Sequence, residues 1–199
     1  MPERSADTMP KKVLGMLGSP RLDGCAAQLL DSALEGARSA GAEAERFDLA
    51  TMNIGPCREC RACDTAGACT RHGDDMAVIY SRIREVDAIV LSSPIFFMGV
   101  TAQTKAMIDR CQCFWVEKYV KGRRVYDGRE KPKGLFVACA GSPKPTIFEP
   151  SLHVVKAFFA AIDYQYSGEV LLGHTDDPGL PPRKDAALKQ AYEAGRRLV

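Results

Sequence analysis

Short apolar runs along the chain alternate with stretches whose apolar residues recur every three or four positions. This is the pattern of buried strands alternating with amphipathic helices. Lys12 to Leu17 is such a run, stopped by Gly18. Ala26 to Ala40 follows with Leu30, Ala33, Leu34 and Ala37 on one helical face, ended by Gly41. Glu45 to Leu49 predicts a second strand. Asp74 and Asp75 then open a helix that carries Met76, Ile79, Ile83 and Val86 on one side, with Asp74 as its cap. Asp87 to Ser92 is a third buried run, broken by Ser93-Pro94, and Val100 to Cys111 is the next helical stretch. Gln112 to Lys133 is mostly polar, contains Gly122, Gly128 and Pro132, and reads as an excursion from this rhythm. Leu135 to Ala140 predicts a fourth strand, stopped by Gly141, and Leu152, Val155, Phe159 and Ile162 mark the helix after it. Tyr164 to Leu172 predicts a fifth strand and Asp185 to Leu198 a closing helix.

Strands alternating with helices through short loops predict an α/β fold with a parallel sheet and helices on both faces, because each parallel pair needs a crossover that covers the sheet. Five strands suit the doubly wound order 2-1-3-4-5. With 199 residues the chain can bury one sizeable core but not two comfortable ones. The expected organisation is a disordered opening over residues 1–10 and a single domain over 11–199.

Composition narrows the partners. Lys and Arg number 27 against 25 Asp and Glu, a net charge of +2, so no large field of one sign points to nucleic acid or an anionic membrane surface. No apolar run reaches the roughly 20 residues that span a bilayer. Met1 to Pro10 is polar and lacks the apolar middle of a secretory signal, so a cytoplasmic location is expected. In that setting the eight cysteines suit metal or redox chemistry better than a disulfide scaffold.

In open parallel sheets, ligands bind beyond the carboxyl ends of the strands where strand order reverses. The loop there after the first strand is Gly18-Ser19-Pro20-Arg21-Leu22-Asp23-Gly24-Cys25. It matches neither a P-loop nor a G-x-G-x-x-G turn. It does offer a hydroxyl and a guanidinium ahead of a helix N-terminus whose N–H groups attract anions, and so suits a phosphate monoester. The alternative is a plain turn with Ser19 as the helix cap. Ser93-Pro94-Ile95-Phe96-Phe97-Met98-Gly99, after the third strand, places apolar side chains where loops are usually polar; these can line a flat ring or plug the core. Ala140-Gly141-Ser142-Pro143, after the fourth, offers small residues that a ring edge can approach closely.

The run GSPR-x-x-G after the first strand, Ser-Pro-Ile-Phe-Phe after the third, and Lys105 to Arg110 (KAMIDR) resemble the NADPH-dependent FMN reductase group of flavodoxin-like proteins, from Val13 to Phe159. The resemblance implies that FMN is the cofactor. Its phosphate would be held by Ser19, Pro20, Arg21, Gly24, Cys25 and Ala26, and its ring would meet Pro94, Ile95, Phe96, Phe97, Met98, Gly99, Ala140 and Gly141. The group commonly has Asn, Ser or Thr where this chain has Cys25 and Ala26, which leaves the phosphate to backbone N–H groups, Ser19 and Arg21. Phe96 stands where the group often has Tyr.

Cys57, Cys60, Cys63 and Cys69 follow the spacing C-x2-C-x2-C-x5-C, which lets three thiolates converge and a return through Gly67 bring a fourth. The opening matches a bacterial ferredoxin run, though there the last cysteine comes sooner and precedes proline. Such a set can hold a 4Fe-4S cluster, tetrahedral zinc or nothing. With the flavin loops it resembles the iron–sulfur flavoproteins, which implies a 4Fe-4S cluster exchanging electrons with FMN, often that of a neighbouring subunit. The other four cysteines read as small buried residues, with Cys111 and Cys113 lacking an evident partner. His72, His153 and His174 are isolated, and Asp109 and Arg110 read equally as a surface pair ending a helix or as neighbours of the flavin. Lys121, Arg123, Arg124 and Arg129 form a solvated face or meet a nicotinamide phosphate or an acidic redox protein.

The expected function is an FMN-dependent oxidoreductase that passes electrons between a 4Fe-4S cluster and FMN, as a homodimer or homotetramer, with NAD(P)H or a ferredoxin-type protein as electron partner. The alternatives are a cluster-free NAD(P)H-dependent reductase of quinones, azo compounds or metal oxyanions, and a non-enzymatic zinc-stabilised binding module.

Overall fold

The computed structural model describes residues 9–71, 73–126, 129–177 and 180–199. Most of the expected disordered opening, and His72, lie outside them. The chain runs β1 (Lys12–Leu17), α1 (Cys25–Ser39), β2 (Glu43–Asp48), α2 (Ala62–Ala66), α3 (Met76–Glu85), β3 (Ala88–Pro94), α4 (Ala102–Arg110) and α5 (Gln112–Trp115). A π-helical turn over Val116–Val120 follows, then β4 (Lys133–Cys139), a 3-10 turn over Pro145–Phe148, α6 (Glu149–Ala161), β5 (Gln165–Leu172) and α7 (Leu180–Arg196).

All four strand pairings are parallel and the sheet order is β2-β1-β3-β4-β5, as the pattern predicts. Alternate residues of the central strands feed two cores. Val13 and Leu17 of β1, Val90 of β3 and Val137 of β4 pack under α1 and α7. Leu14, Met16, Leu91 and Phe136 face the opposite layer, which includes Ile79, Met107, Phe114 and Phe159. Helices α1 and α7 approach so closely that a Cβ at Gly195 would lie 1.8 Å from the Ala33 carbonyl oxygen. Glycine there is a packing requirement.

Two differences from the sequence reading have physical causes. Helix α7 begins at Leu180, ahead of the expected Asp185, because prolines in a first turn lose no helical hydrogen bond. The stretch after α4 is an element of the core as much as an excursion: Phe114, Val116, Val125 and Tyr126 are all buried.

Tyr164 ties the layers together, its buried hydroxyl donating to the Ile83 carbonyl at 2.7 Å. Tyr164→Phe leaves that carbonyl without its donor and is expected to cost about 1 kcal/mol in denaturant unfolding, with flavin binding unchanged.

Candidate functional site

Strand register sets the first site. Leu17 of β1 lies opposite Ser92 of β3, and Pro94 of β3 opposite Cys139 of β4, so three loops leave the sheet side by side. They are tied at their roots. Gly18 N–H donates to the Ser92 carbonyl at 2.7 Å, the Thr101 hydroxyl to the Gly18 carbonyl at 2.6 Å, and the Ser92 hydroxyl to the Ala26 carbonyl at 2.7 Å.

These loops enclose a cleft of about 460 Å³. Ser19, Pro20, Arg21, Gly24, Cys25 and Ala26 form one wall, Pro94, Ile95 and Phe96 a second, and Cys139, Ala140 and Gly141 a third. Ser19 does not cap α1; its hydroxyl accepts from Arg21 N–H and donates to the Arg21 carbonyl, both at 3.0 Å, and so shapes the loop. The N-cap of α1 is Gly24, with no side chain on the first-turn N–H groups. The Arg21 side chain folds back over Gly24, where a Cβ would lie 2.9 Å from Arg21 Cδ. The guanidinium and the helix N-terminus therefore share one end of the cleft, the arrangement that favours a bound anion. Burial pushes the Cys139 thiol up to about 12, so it stays neutral beside that end.

Phe97, Met98 and Gly99 are not in the cleft wall. They form the tip of the loop, where Phe96 and Gly99 exchange backbone hydrogen bonds at 2.9 Å across Phe97 (φ +50°) and Met98 (φ +64°). Two non-glycine residues in the left-handed region are strained, and such strain collects at functional loops. Phe97 is fully exposed. The sequence pattern did not single out Thr175 and Asp176, which close the cleft from the loop after β5. Asp176 packs on Gly141, where a Cβ would lie 2.2 Å from its carboxylate oxygen.

The cysteine loop lines a second cavity, of about 590 Å³, with all four of Cys57, Cys60, Cys63 and Cys69 on its wall. Positive φ at Glu59, Arg61 and Gly67 winds the backbone around it. Cys57 and Cys60 are exposed, Cys63 and Cys69 half-buried, and all four thiols are free. Among the described residues, no three His, Cys, Asp or Glu side chains stand at metal-binding spacing. The donor set nonetheless suits a thiophilic metal group: four soft ligands on one compact loop around one cavity. Burial raises the Cys63 thiol, whereas Cys69 is held below its ordinary value despite burial, by the Arg71 N–H, the Tyr80 hydroxyl and the Arg110 guanidinium.

Cys113 and Arg110 also line this cavity. Cys113 is thus a fifth thiol there, buried and pushed up to about 11 by burial. Asp109 and Arg110 are not a surface pair. Asp109 pairs with Lys105 at 2.7 Å, while Arg110 is 2% exposed and meets Asp74 at 2.6 Å. A visible signal existed: Arg110 follows Thr104 and Met107 at helical spacing on the buried face of α4, an unusual place for an unpaired charge. Asp74 is not the helix cap: the N-cap of α3 is Asp75, whose side chain makes no capping bond, and Asp74, one residue earlier, accepts from Met76 N–H at 3.3 Å but has Arg110 as its main partner. Of the histidines, His153 bonds the Glu149 carbonyl on α6 and His174 pairs with Asp177 at 3.2 Å. The described helices include none long and apolar enough to cross a membrane.

Residues 11–163 match the family model described as NADPH-dependent FMN reductase. An iron-sulfur flavoprotein of Archaeoglobus fulgidus is 31% identical over 191 residues, 94% of this chain and 83% of that protein. An iron-sulfur flavoprotein of Methanocaldococcus jannaschii is 39% identical over 99 residues, 50% of this chain and 51% of that protein. Among solved structures, an NAD(P)H:quinone oxidoreductase from Methanothermobacter marburgensis superposes with a TM-score of 0.70 at 19% identity, covering 96% of this chain and all of that one. An FMN-dependent NADH-azoreductase from Bacillus anthracis, in complex with FMN, gives a TM-score of 0.70 at 16% identity, covering 94% and 99%. These two likenesses establish the fold alone. With the family model matched over most of its length, the chain belongs to the NADPH-dependent FMN reductase family of flavodoxin-like proteins, on the side of its iron-sulfur flavoproteins, and is a flavin-dependent oxidoreductase.

Proposed function

We propose that residues 11–199 form a single FMN-binding domain that carries a 4Fe-4S cluster on Cys57, Cys60, Cys63 and Cys69 and passes electrons between the two groups. The observation that carries this reading is the placement of four free thiols around one cavity, in a chain whose other loops form an anion-suited cleft at the strand ends. The names of the archaeal relatives support it. Bound FMN supplies two-electron hydride chemistry and the cluster one-electron steps.

The chain's own residues position these groups. Arg21 and the N–H groups of Cys25 and Ala26 hold the phosphate, with Ser19, Pro20 and Gly24 shaping the turn around it. Pro94, Ile95 and Phe96 support one side of the ring, and Ala140 and Gly141 admit its edge. Phe97, Met98 and Gly99 stand at the mouth of the cleft, where exposed apolar side chains suit a second copy of this chain in a homodimer or homotetramer. Free thiols on an exposed loop fit a reducing cytoplasmic setting.

A ferredoxin-type one-electron donor is expected to reduce the flavin of the wild-type protein and not that of Cys60→Ser, measured anaerobically by flavin bleaching. Equal bleaching of both by NADPH, with no response to the protein donor in either, selects the cluster-free reductase of quinones, azo compounds or metal oxyanions. That second reading is motivated by the activities of two proteins with the same fold, the quinone oxidoreductase and the azoreductase. Family membership favours both over a non-enzymatic zinc module.

A further inference from the structure

We propose that Arg110 is a positioning residue of the four-cysteine site: its buried guanidinium clamps the two ends of the cysteine loop and fixes a positive charge beside Cys69, which raises the reduction potential of the group held there. This rests on the cluster reading above.

The clamp is visible in the hydrogen bonds. Arg110 Nη1 donates to the carbonyl of Gly55, just before Cys57, at 3.1 Å, and Nη2 to the carbonyl of Arg71, just after Cys69, at 3.5 Å. The same fork grips Asp74, Nη1 to Oδ2 at 2.6 Å and Nη2 to Oδ1 at 3.3 Å. One side chain, at the end of α4, therefore sets the spacing between the two stems of the loop. Its backbone is held in turn, the Tyr80 hydroxyl donating to the Arg110 carbonyl at 3.0 Å. The Arg110 side chain is 1% exposed and that of Asp74 6%, so water does little to screen either charge.

Three groups of the guanidinium could bond; two are used. Arg110 Nε is buried and has no hydrogen-bond partner among the described residues, an omission that is costly in a protein interior unless something bound nearby accepts from it. Arg110 and Cys69 line the same cavity, and Arg110 bonds the backbone two residues beyond Cys69, whereas Asp74 lies outside that cavity wall. When the metal group takes one electron from a one-electron donor, it gains one negative charge and no bond changes. A fixed cation beside a ligating sulfur stabilises the reduced form, and Asp74, behind it, offsets part of that effect.

The test is a potentiometric titration of the anaerobic full chain, followed by electron paramagnetic resonance, for wild type, Arg110→Gln, Arg110→Lys and Asp74→Asn. Arg110→Gln is expected to lower the potential and Asp74→Asn to raise it, with Arg110→Lys closer to wild type than Arg110→Gln. At a fixed potential the reduced-to-oxidised ratio is expected to fall at least tenfold in Arg110→Gln, about 59 mV for one electron. A merely structural pair would loosen the loop from either side, so shifts of the same sign, or none, overturn the inference. If Arg110→Gln fails to retain iron, Asp74→Asn decides alone, an upward shift supporting and any other result overturning. Wild-type protein without iron overturns the cluster reading and this inference with it; wild-type protein with full iron whose variants lack opposed shifts overturns this inference alone.

Discussion

Replacing Cys60 with serine is expected to abolish bound iron and sulfide while FMN stays at its wild-type level. Cys60 is exposed, so the substitution creates no cavity, and between the iron-free forms of the two proteins the stability change is expected within about 0.5 kcal/mol. Its thiol sits on the wall of the cysteine cavity, whereas the anion-suited cleft is built from the loops after β1, β3 and β4 and shares no lining residue with it. The two groups are therefore separable by mutation. Iron and sulfide are expected to fall from roughly four each per chain to near zero, with the flavin absorbance retained. Loss of both together would mean that the cysteine loop supports the flavin cleft, and unchanged iron would remove Cys60 from the ligand set.

Arg21→Ala is expected to weaken FMN binding by about 10- to 100-fold, as read by fluorescence titration of the apoprotein. The estimate follows from losing a charge-assisted hydrogen bond worth about 1.5–3 kcal/mol. Arg21 is expected to carry more of the load here because Cys25 and Ala26 stand where hydroxyl or amide side chains would otherwise add donors. Riboflavin, which has the same ring without the phosphate, is the control. Its affinity is expected to be the same in wild type and Arg21→Ala. An equal loss for both ligands would show that Arg21 acts by shaping the loop, through the packing of its side chain over Gly24, and not through the phosphate.

The sheet order and four of the five strands were legible, the three inner ones because buried parallel strands read as continuous apolar runs, Ala88–Pro94 and Lys133–Cys139 most clearly. β2 was less so: an edge strand of half-exposed Glu, Arg and Asp carries little apolar signal, and its start at Glu43 came two residues before the expected Glu45. The three loops of the cleft followed from topology, since Gly18, Pro94 and Gly141 all fall at carboxyl ends of neighbouring strands. Two further parts of the site were hidden. Asp176 reaches the cleft only because β5 runs beside β4 and its following loop turns back over Gly141, a contact with no local pattern. Arg110 was hidden for the opposite reason. A basic residue at a helix end has an ordinary local explanation; its spacing from Thr104 and Met107 places it on the buried face, but only the approach of Asp74, 36 positions away in sequence, shows what balances its charge. Side-chain partners distant in sequence are set by tertiary packing, and neither spacing nor composition records them.

Anaerobic purification with iron, sulfide and flavin analysis asks whether one chain holds both redox groups. The expected result is a yellow-brown protein with roughly four iron and four sulfide per chain alongside about one FMN. Iron-free protein with a full flavin spectrum would contradict it.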